Sequence, residues 1–154
     1  MSAVLQQPSQ RIEPMHENDL GAVTEIERRI YAFPWTLGNF RDSIRAGYSC
    51  WTYRDRERLI GYAVLMLAVE EAHLLNLSID AGMQRQGHGT RLLRHLMDTA
   101  RDYGARMLFL EVRPSNEAGV SLYAVLGFRQ VGVRRDYYPA HHGRENALVF
   151  SLEL

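Results

Sequence analysis

Residues 72–112 restrict the fold more than any other part of this chain, because they read strand, helix, strand. "AHLLNLSID" (72–80) is an apolar run of strand length. From Gly87 to Tyr103 the apolar residues Leu92, Leu93, Leu96, Met97 and Ala100 form one helical stripe, and Gly104 ends it. "MLFLEV" (107–112) follows, apolar at both parities over its first four residues, which predicts a strand covered on both faces. Two strands joined through a helix lie parallel, since a tight turn cannot connect parallel neighbours.

The flanking segments follow another pattern. "RIEPM" reads as a short strand, and residues 17–30 as a helix with Leu20, Val23, Ile26 and Ile30 on one face and Asn18 or Asp19 placed to cap it. Pro34 interrupts, then residues 36–47 resume with Thr36 as N-cap and Gly47 as stop. "YSCWTYR" and "RLIGYAVLMLAV", joined by "DRER", predict a hairpin that leads into residues 72–80 as an antiparallel meander. After the parallel unit comes a short helix over 116–126, capped by Asn116 and stopped by Gly127. "RQVGVRR" and "ALVFSLEL" close the chain as strands, the latter alternating at Leu148, Phe150, Leu152 and Leu154. The expectation is an α/β (α+β) domain over residues 10–154 with a mixed sheet, behind a disordered tail at 1–9.

Charge and composition remove several function classes. Eighteen basic and eighteen acidic side chains cancel, so no global field draws the protein to nucleic acid or a membrane. The longest apolar run, residues 62–69, is far too short to span a bilayer, and the N-terminus lacks a signal-peptide pattern. The single cysteine, Cys50, sits in a strand pattern, is expected to be buried, and excludes an internal disulfide, which fits a reducing cytoplasm. Of six histidines only His141 and His142 are adjacent, so no metal site is expected. Arg54, Arg56 and Arg58 alternate with Asp55 and Glu57, as in a solvated turn rather than an RNA patch. A cytoplasmic protein, monomeric or weakly oligomeric, is expected.

Two features carry chemistry. "QRQGHG" (84–89) joins a strand to an amphipathic helix, so it offers backbone N–H groups at a helix N-terminus, where an anion is favoured. Gly87 and Gly89 permit close approach and Arg85 adds charge, so a phosphate or pyrophosphate is the natural guest. Neither the P-loop nor the dinucleotide pattern is met, and a plain tight turn explains the glycines as well. The second feature is Glu111, an ionisable group ending a core strand, where it must be paired, hydrated or used. On the residues alone, the favoured reading of Glu111 is a strand-end Glu that points to water or pairs with Arg113, and that of Tyr123 is a core aromatic.

Taken together, "QRQGHGTRLL", "LEVRPSN" and "SLYAVLGF" resemble the GNAT superfamily of acetyl-coenzyme A-dependent N-acetyltransferases, over nearly the whole chain after the tail. "RQGHG" matches the superfamily's pyrophosphate loop; Asn116, Tyr123 and "GF" at 127–128 match its later motif. The resemblance implies a GNAT-like central mixed sheet, mostly antiparallel with one parallel strand pair, and helices on both faces. "AFPW" and "RRDYYPAHHGRENALVF" further resemble the bacterial family that acetylates the N-terminal alanine of small-subunit ribosomal protein eighteen. Two departures from that pattern stand out: Asn146 stands where Asp is usual, and "NLSID" replaces "NIAVD".

The resemblance implies acetyl-coenzyme A as co-substrate and the N-terminus of a ribosomal protein as acceptor; a lysine side chain or a small amine is the alternative. A protonated amine is not nucleophilic, so a base must take its proton, an acid should serve the leaving thiolate, and donors must hold the oxyanion. By resemblance Glu111 is the base and Tyr123 the acid. The backbone of Leu77, Ser78 and Ile79 would hold the pantetheine arm; Gln84, Arg85, Gln86, Gly87, His88, Gly89 and Thr90 would hold the pyrophosphate, with Asn116 also touching the coenzyme. "YAFPW" and "RRDYYP", through Phe33, Trp35, Arg134, Tyr137 and Tyr138, would form the peptide-binding walls.

Overall fold

A computed structural model describes residues 9–154; apart from Ser9, the expected tail lies outside the described residues. The elements run β1 (Gln10–Pro14), a 3₁₀ turn (Glu17–Asp19), α1 (Leu20–Ile30), α2 (Leu37–Arg45), β2 (Ser49–Asp55), β3 (Arg58–Leu67) and β4 (Glu71–Ile79). A second 3₁₀ turn (Ala81–Met83), α3 (His88–Tyr103), β5 (Met107–Val112), α4 (Glu117–Val125), β6 (Arg129–Pro139) and β7 (Arg144–Glu153) complete them. They build one seven-stranded sheet in the order β1-β2-β3-β4-β5-β7-β6. Only the β4–β5 neighbours are parallel, as the crossover requires.

Each face of the sheet carries its own core. Leu92, Leu93, Leu96 and Ala100 on α3 and Tyr123 on α4 pack with Ala63, Leu65, Leu108 and Phe150. Leu20, Val23 and Ile26 on α1 and Phe40 on α2 pack with Cys50, Tyr62 and Val64 on the other face. Alternation along β3 feeds both cores, so this strand is buried almost throughout. Cys50 is free and buried, and burial pushes its thiol up to about 11. Among the described residues no helix is long and apolar enough to cross a membrane.

Local signals set most helix ends. Thr36 accepts from the Asn39 N–H at 3.1 Å, and the Asn39 side chain answers the Thr36 N–H at 2.9 Å. Asn116 accepts from the Gly119 N–H at 3.0 Å; a Cβ on Gly119 would fall 2.7 Å from Asn116 Nδ2. Gly104 and Gly127 close α3 and α4 with φ of 102° and 95°. At α1 the expected cap differs: Asp19 turns back to accept from the His16 N–H at 2.8 Å and takes Arg54 at 2.8 Å. Arg54 is therefore paired rather than solvated.

Two further expectations change. β5 is not covered on both faces: Leu108, Leu110 and Val112 are buried, while Met107, Phe109 and Glu111 share a half-open face. β6 runs on to Pro139, with β7 beginning at Arg144, so "RRDYYP" is the end of a long hairpin. Its register slips between Arg134 and Tyr138, where three residues of β6 face one of β7. Asn146 is that one, and its Oδ1 accepts from the Asp136 N–H at 3.0 Å. A carboxylate oxygen accepts equally well, which accounts for an amide in place of the usual Asp.

Candidate active site

A parallel pair that stops early opens the molecule. β4 and β5 stay in register from Glu71 and Met107 to Leu74 and Leu110, then part, although β4 continues to Ile79 and β5 to Val112. A β-bulge marks the same place: against β3, Val64 faces Asn76 but Leu65 faces Leu74, so Leu75 is extra. The gap continues into a cleft of about 980 Å³ whose lining includes Leu77, Glu111, Tyr123 and Tyr138.

Strand parity says which backbone groups face the gap. The Asp80 N–H donates to the Ile60 carbonyl at 2.8 Å, and Ser78 and Asn76 face Tyr62 and Val64 at the same parity. Alternate residues of an antiparallel strand bond one neighbour, so the peptide groups of Leu77 and Ile79 point away from β3, toward the missing partner. A thin amide-bearing chain such as pantetheine fits there as a substitute strand. Ser78 does not share in this: its backbone faces β3, and its hydroxyl is spent on Asn76 and Tyr31.

The glycine turn adds an anion seat at one end. Arg85 and Gly87 adopt φ of 62° and 84°, and the first bond of α3 runs from the Arg91 N–H to the Gly87 carbonyl at 3.1 Å. The helix therefore leaves the amides of His88, Gly89 and Thr90 open. Leu122 of α4 packs so near that a Cβ on Gly89 would lie 3.2 Å from its Cδ2. The side chain of His88 turns inward, buried with Nδ1 2.8 Å from the Tyr53 hydroxyl, so only its backbone is available to an anion. Gln84 ties the turn to β4, donating to the Ile79 carbonyl at 3.0 Å.

Glu111 lies across the gap with its side chain 27% exposed. Its partner is not Arg113: Arg134 Nε approaches Oε1 at 2.9 Å, and contact with the same carboxylate is the largest cause of the raised pKa of Tyr137. Arg134 thus holds Glu111 from the β6 side, and neither Arg134 nor Tyr137 lines the cleft. Tyr123 is buried against Phe128 and Phe150, yet lines the cleft. Burial first, then the nearby Tyr31 and Tyr138, push its phenol well above its ordinary value, so it keeps its proton wherever an amine can be free.

Arg113 joins the two loops that flank the opening. Its guanidinium lies 4.3 Å over the Tyr138 ring and 5.3 Å over the Phe33 ring, and it donates to the Pro139 carbonyl at 2.7 Å. Glu145 takes Arg113 at 3.2 Å and the Ser115 hydroxyl at 2.9 Å. Trp35 lines the cleft as well, with its ring 5.1 Å from Phe40.

The sequence pattern of the Acetyltransferase (GNAT) family matches residues 20–128. The chain belongs to the GNAT acetyltransferase family. It is 37% identical over 143 residues to the [ribosomal protein bS18]-alanine N-acetyltransferase of Escherichia coli (strain K12), covering 93% of this chain and 97% of that one. The corresponding enzyme of Haemophilus ducreyi is 35% identical over 144 residues, 93% of this chain and 99% of its own. The crystal structure of the E. coli ribosomal-protein-S18-alanine N-acetyltransferase superposes with a TM-score of 0.86, covering 94% of this chain and 93% of that one.

In this GNAT domain the cleft brings together Glu111, Tyr123, Leu77, Gln84, Asn116, Phe33, Trp35 and Tyr138 of the residues expected from sequence. It also contains Glu27 and Asn76, to which sequence reading gave no role, and Tyr31, which it placed only within the "YAFPW" wall. A signal for Glu27 was present: it falls seven residues after Leu20 and four after Val23, an acid on the apolar stripe of α1. Its partners, distant in the chain, left no such trace.

Proposed function

We propose that this GNAT enzyme transfers the acetyl group of acetyl-coenzyme A to the α-amino group of an N-terminal alanine, that of ribosomal protein bS18. The carrying observation is that Glu111 and Tyr123 line the one cleft that opens where β4 and β5 part. The named substrate is supported by the two relatives described above, 37% and 35% identical, both named as alanine N-acetyltransferases of bS18. A cytoplasmic location belongs to the same reading.

In this reading the open amides of α3 hold the pyrophosphate, with Arg85 beside them, and Leu77 and Ile79 hold the pantetheine arm. Glu111 takes a proton from the amine as its nitrogen forms the new bond to the acetyl carbon. The carbon–sulfur bond then breaks, and Tyr123 protonates the thiolate. An amide N–H on the open side of β4 is the donor for the developing oxyanion.

The two roles carry unequal weight. A thiol ionises near ~8.5, so its thiolate is already a fair leaving group and the acid contributes little. Tyr123→Phe is expected to lower kcat by only about tenfold, at unchanged KM for either substrate. Unaltered turnover in a folded variant would remove Tyr123 from the mechanism. The substrate is tested by mass detection of acetylation across peptides starting with Ala, Pro or Met, an acetyl-blocked peptide carrying Lys, and small amines. Transfer to the α-amino group of the bS18 peptide should lead by at least about tenfold. Preference for the lysine side chain or a small amine would replace this reading with the alternative GNAT one.

A further inference from the structure

A second phenol reaches the cleft, and its hydrogen bonding is opposite to that of Tyr123. The starting point is Glu27 on α1, only 2% exposed. Its Oε1 accepts from the Tyr62 hydroxyl at 2.7 Å and from Asn76 Nδ2 at 3.2 Å, and its Oε2 from the Trp35 N–H at 2.9 Å. A carboxylate offers only lone pairs, so Asn76 must turn its NH₂ toward Glu27 and its Oδ1 toward Ser78. Ser78 therefore spends its single proton on Asn76 Oδ1, at 2.7 Å. Its oxygen can then only accept from the Tyr31 hydroxyl, also at 2.7 Å. The Leu77 carbonyl, 3.4 Å from the Tyr31 hydroxyl, is an acceptor too.

The consequence runs along the whole chain of bonds. Tyr31 lines the cleft, but its proton is committed inward, so its oxygen has only lone pairs left to offer a guest. Tyr123 also lines the cleft, its ring packed against Phe128 and Phe150, and in the reading above its hydroxyl is the donor. One site thus holds a phenol that donates and a phenol that accepts. A reaction that brings in an N–H nucleophile and expels an anion can use one of each.

Building on the acetyl-transfer reading above, we propose that Tyr31 seats the nucleophile: its phenolic oxygen accepts an N–H of the substrate's amino group. Glu27, Asn76 and Ser78 are positioning residues, which make Tyr31 an acceptor by holding its proton. The N–H so held is not the one Glu111 removes, so the two contacts orient the remaining lone pair of the nitrogen.

The test compares Tyr31→Phe, Ser78→Ala and the double variant, each shown to be folded by its melting curve. Tyr31→Phe removes only the oxygen, and kcat/KM for the Ala-starting peptide should fall by about tenfold or more while KM for acetyl-coenzyme A stays constant. Ser78→Ala leaves only the Leu77 carbonyl, 3.4 Å away, to hold the Tyr31 proton inward, and should lower peptide kcat/KM in the same direction. In the double variant it should cost nothing beyond Tyr31→Phe, because the group it orients is gone. Should Tyr31→Phe not fold, Ser78→Ala alone still decides by its peptide kcat/KM. Peptide kcat/KM unchanged in Tyr31→Phe, or effects of the two changes that simply multiply, would overturn the assignment and leave the acetyl-transfer reading intact. A wild-type enzyme that acetylates no N-terminal peptide overturns both.

Discussion

Glu111→Gln is expected to lower kcat by roughly 10²–10⁴-fold, the range for loss of a positioned general base. KM for acetyl-coenzyme A should stay within about twofold, since the amides expected to hold it lie on β4 and α3. The substitution isolates the proton transfer. Gln keeps the shape and one accepting oxygen, and the backbone of Glu111 is fixed by its register opposite Val149 in β7. It loses only the ability to take a proton, and the charge that Arg134 pairs with.

The cost to stability should be small. The side chains of Glu111 and Arg134 are 27% and 59% exposed, and ion pairs this open to water contribute about 0–1 kcal/mol. A kcat within tenfold of wild type in a variant that melts normally would leave Glu111 as a structural partner of Arg134 and return the base to a water or another group. Mass-detected turnover over a range of both substrates separates these outcomes.

Glu27→Ala should act on stability instead. Three donors meet the Glu27 carboxylate; those of Tyr62 and Asn76 would be left buried without that acceptor, and the Trp35 N–H half-buried. Each buried donor left unsatisfied costs about 1–3 kcal/mol, against 0.5–1.5 kcal/mol for an ordinary exchange of hydrogen bonds with water, so the loss should reach about 3–5 kcal/mol. For a domain of this length that is a fall in Tm on the order of 10 °C. Glu27→Gln keeps an acceptor but turns an NH₂ toward at least one donor, so its loss should lie between wild type and Ala. Thermal and urea unfolding measure both; a loss below about 1 kcal/mol for Glu27→Ala would mean that water replaces the carboxylate. The Trp35 bond also ties the loop after α1 to that helix, so the same variant should loosen one flank of the cleft.

Much of the fold was legible because its signals are local. The stripe Leu92, Leu93, Leu96 and Ala100, the caps at Thr36 and Asn116 and the stops at Gly104 and Gly127 each follow from residues within a few positions of one another. The parallel β4–β5 pair follows from the same kind of reading, since parallel neighbours need a crossover connection and α3 supplies one. The glycine turn at the start of α3 was legible, but not the inward turn of His88, which depends on Tyr53 in another strand.

The sequence by itself determined the elements, their order, the crossover that makes one pair parallel, and the presence of an acid and a phenol near its end. Only the tertiary structure decided that β4 and β5 part after Leu74 and Leu110, that Arg134 rather than Arg113 faces Glu111, and that Glu27 governs the proton of Tyr31 through Asn76 and Ser78. The physical reason is range. Periodicity and capping act between neighbours in the chain, whereas a strand that splays, a bulge that shifts register and a chain of bonds linking residues 27, 76, 78 and 31 arise only when distant segments share one space.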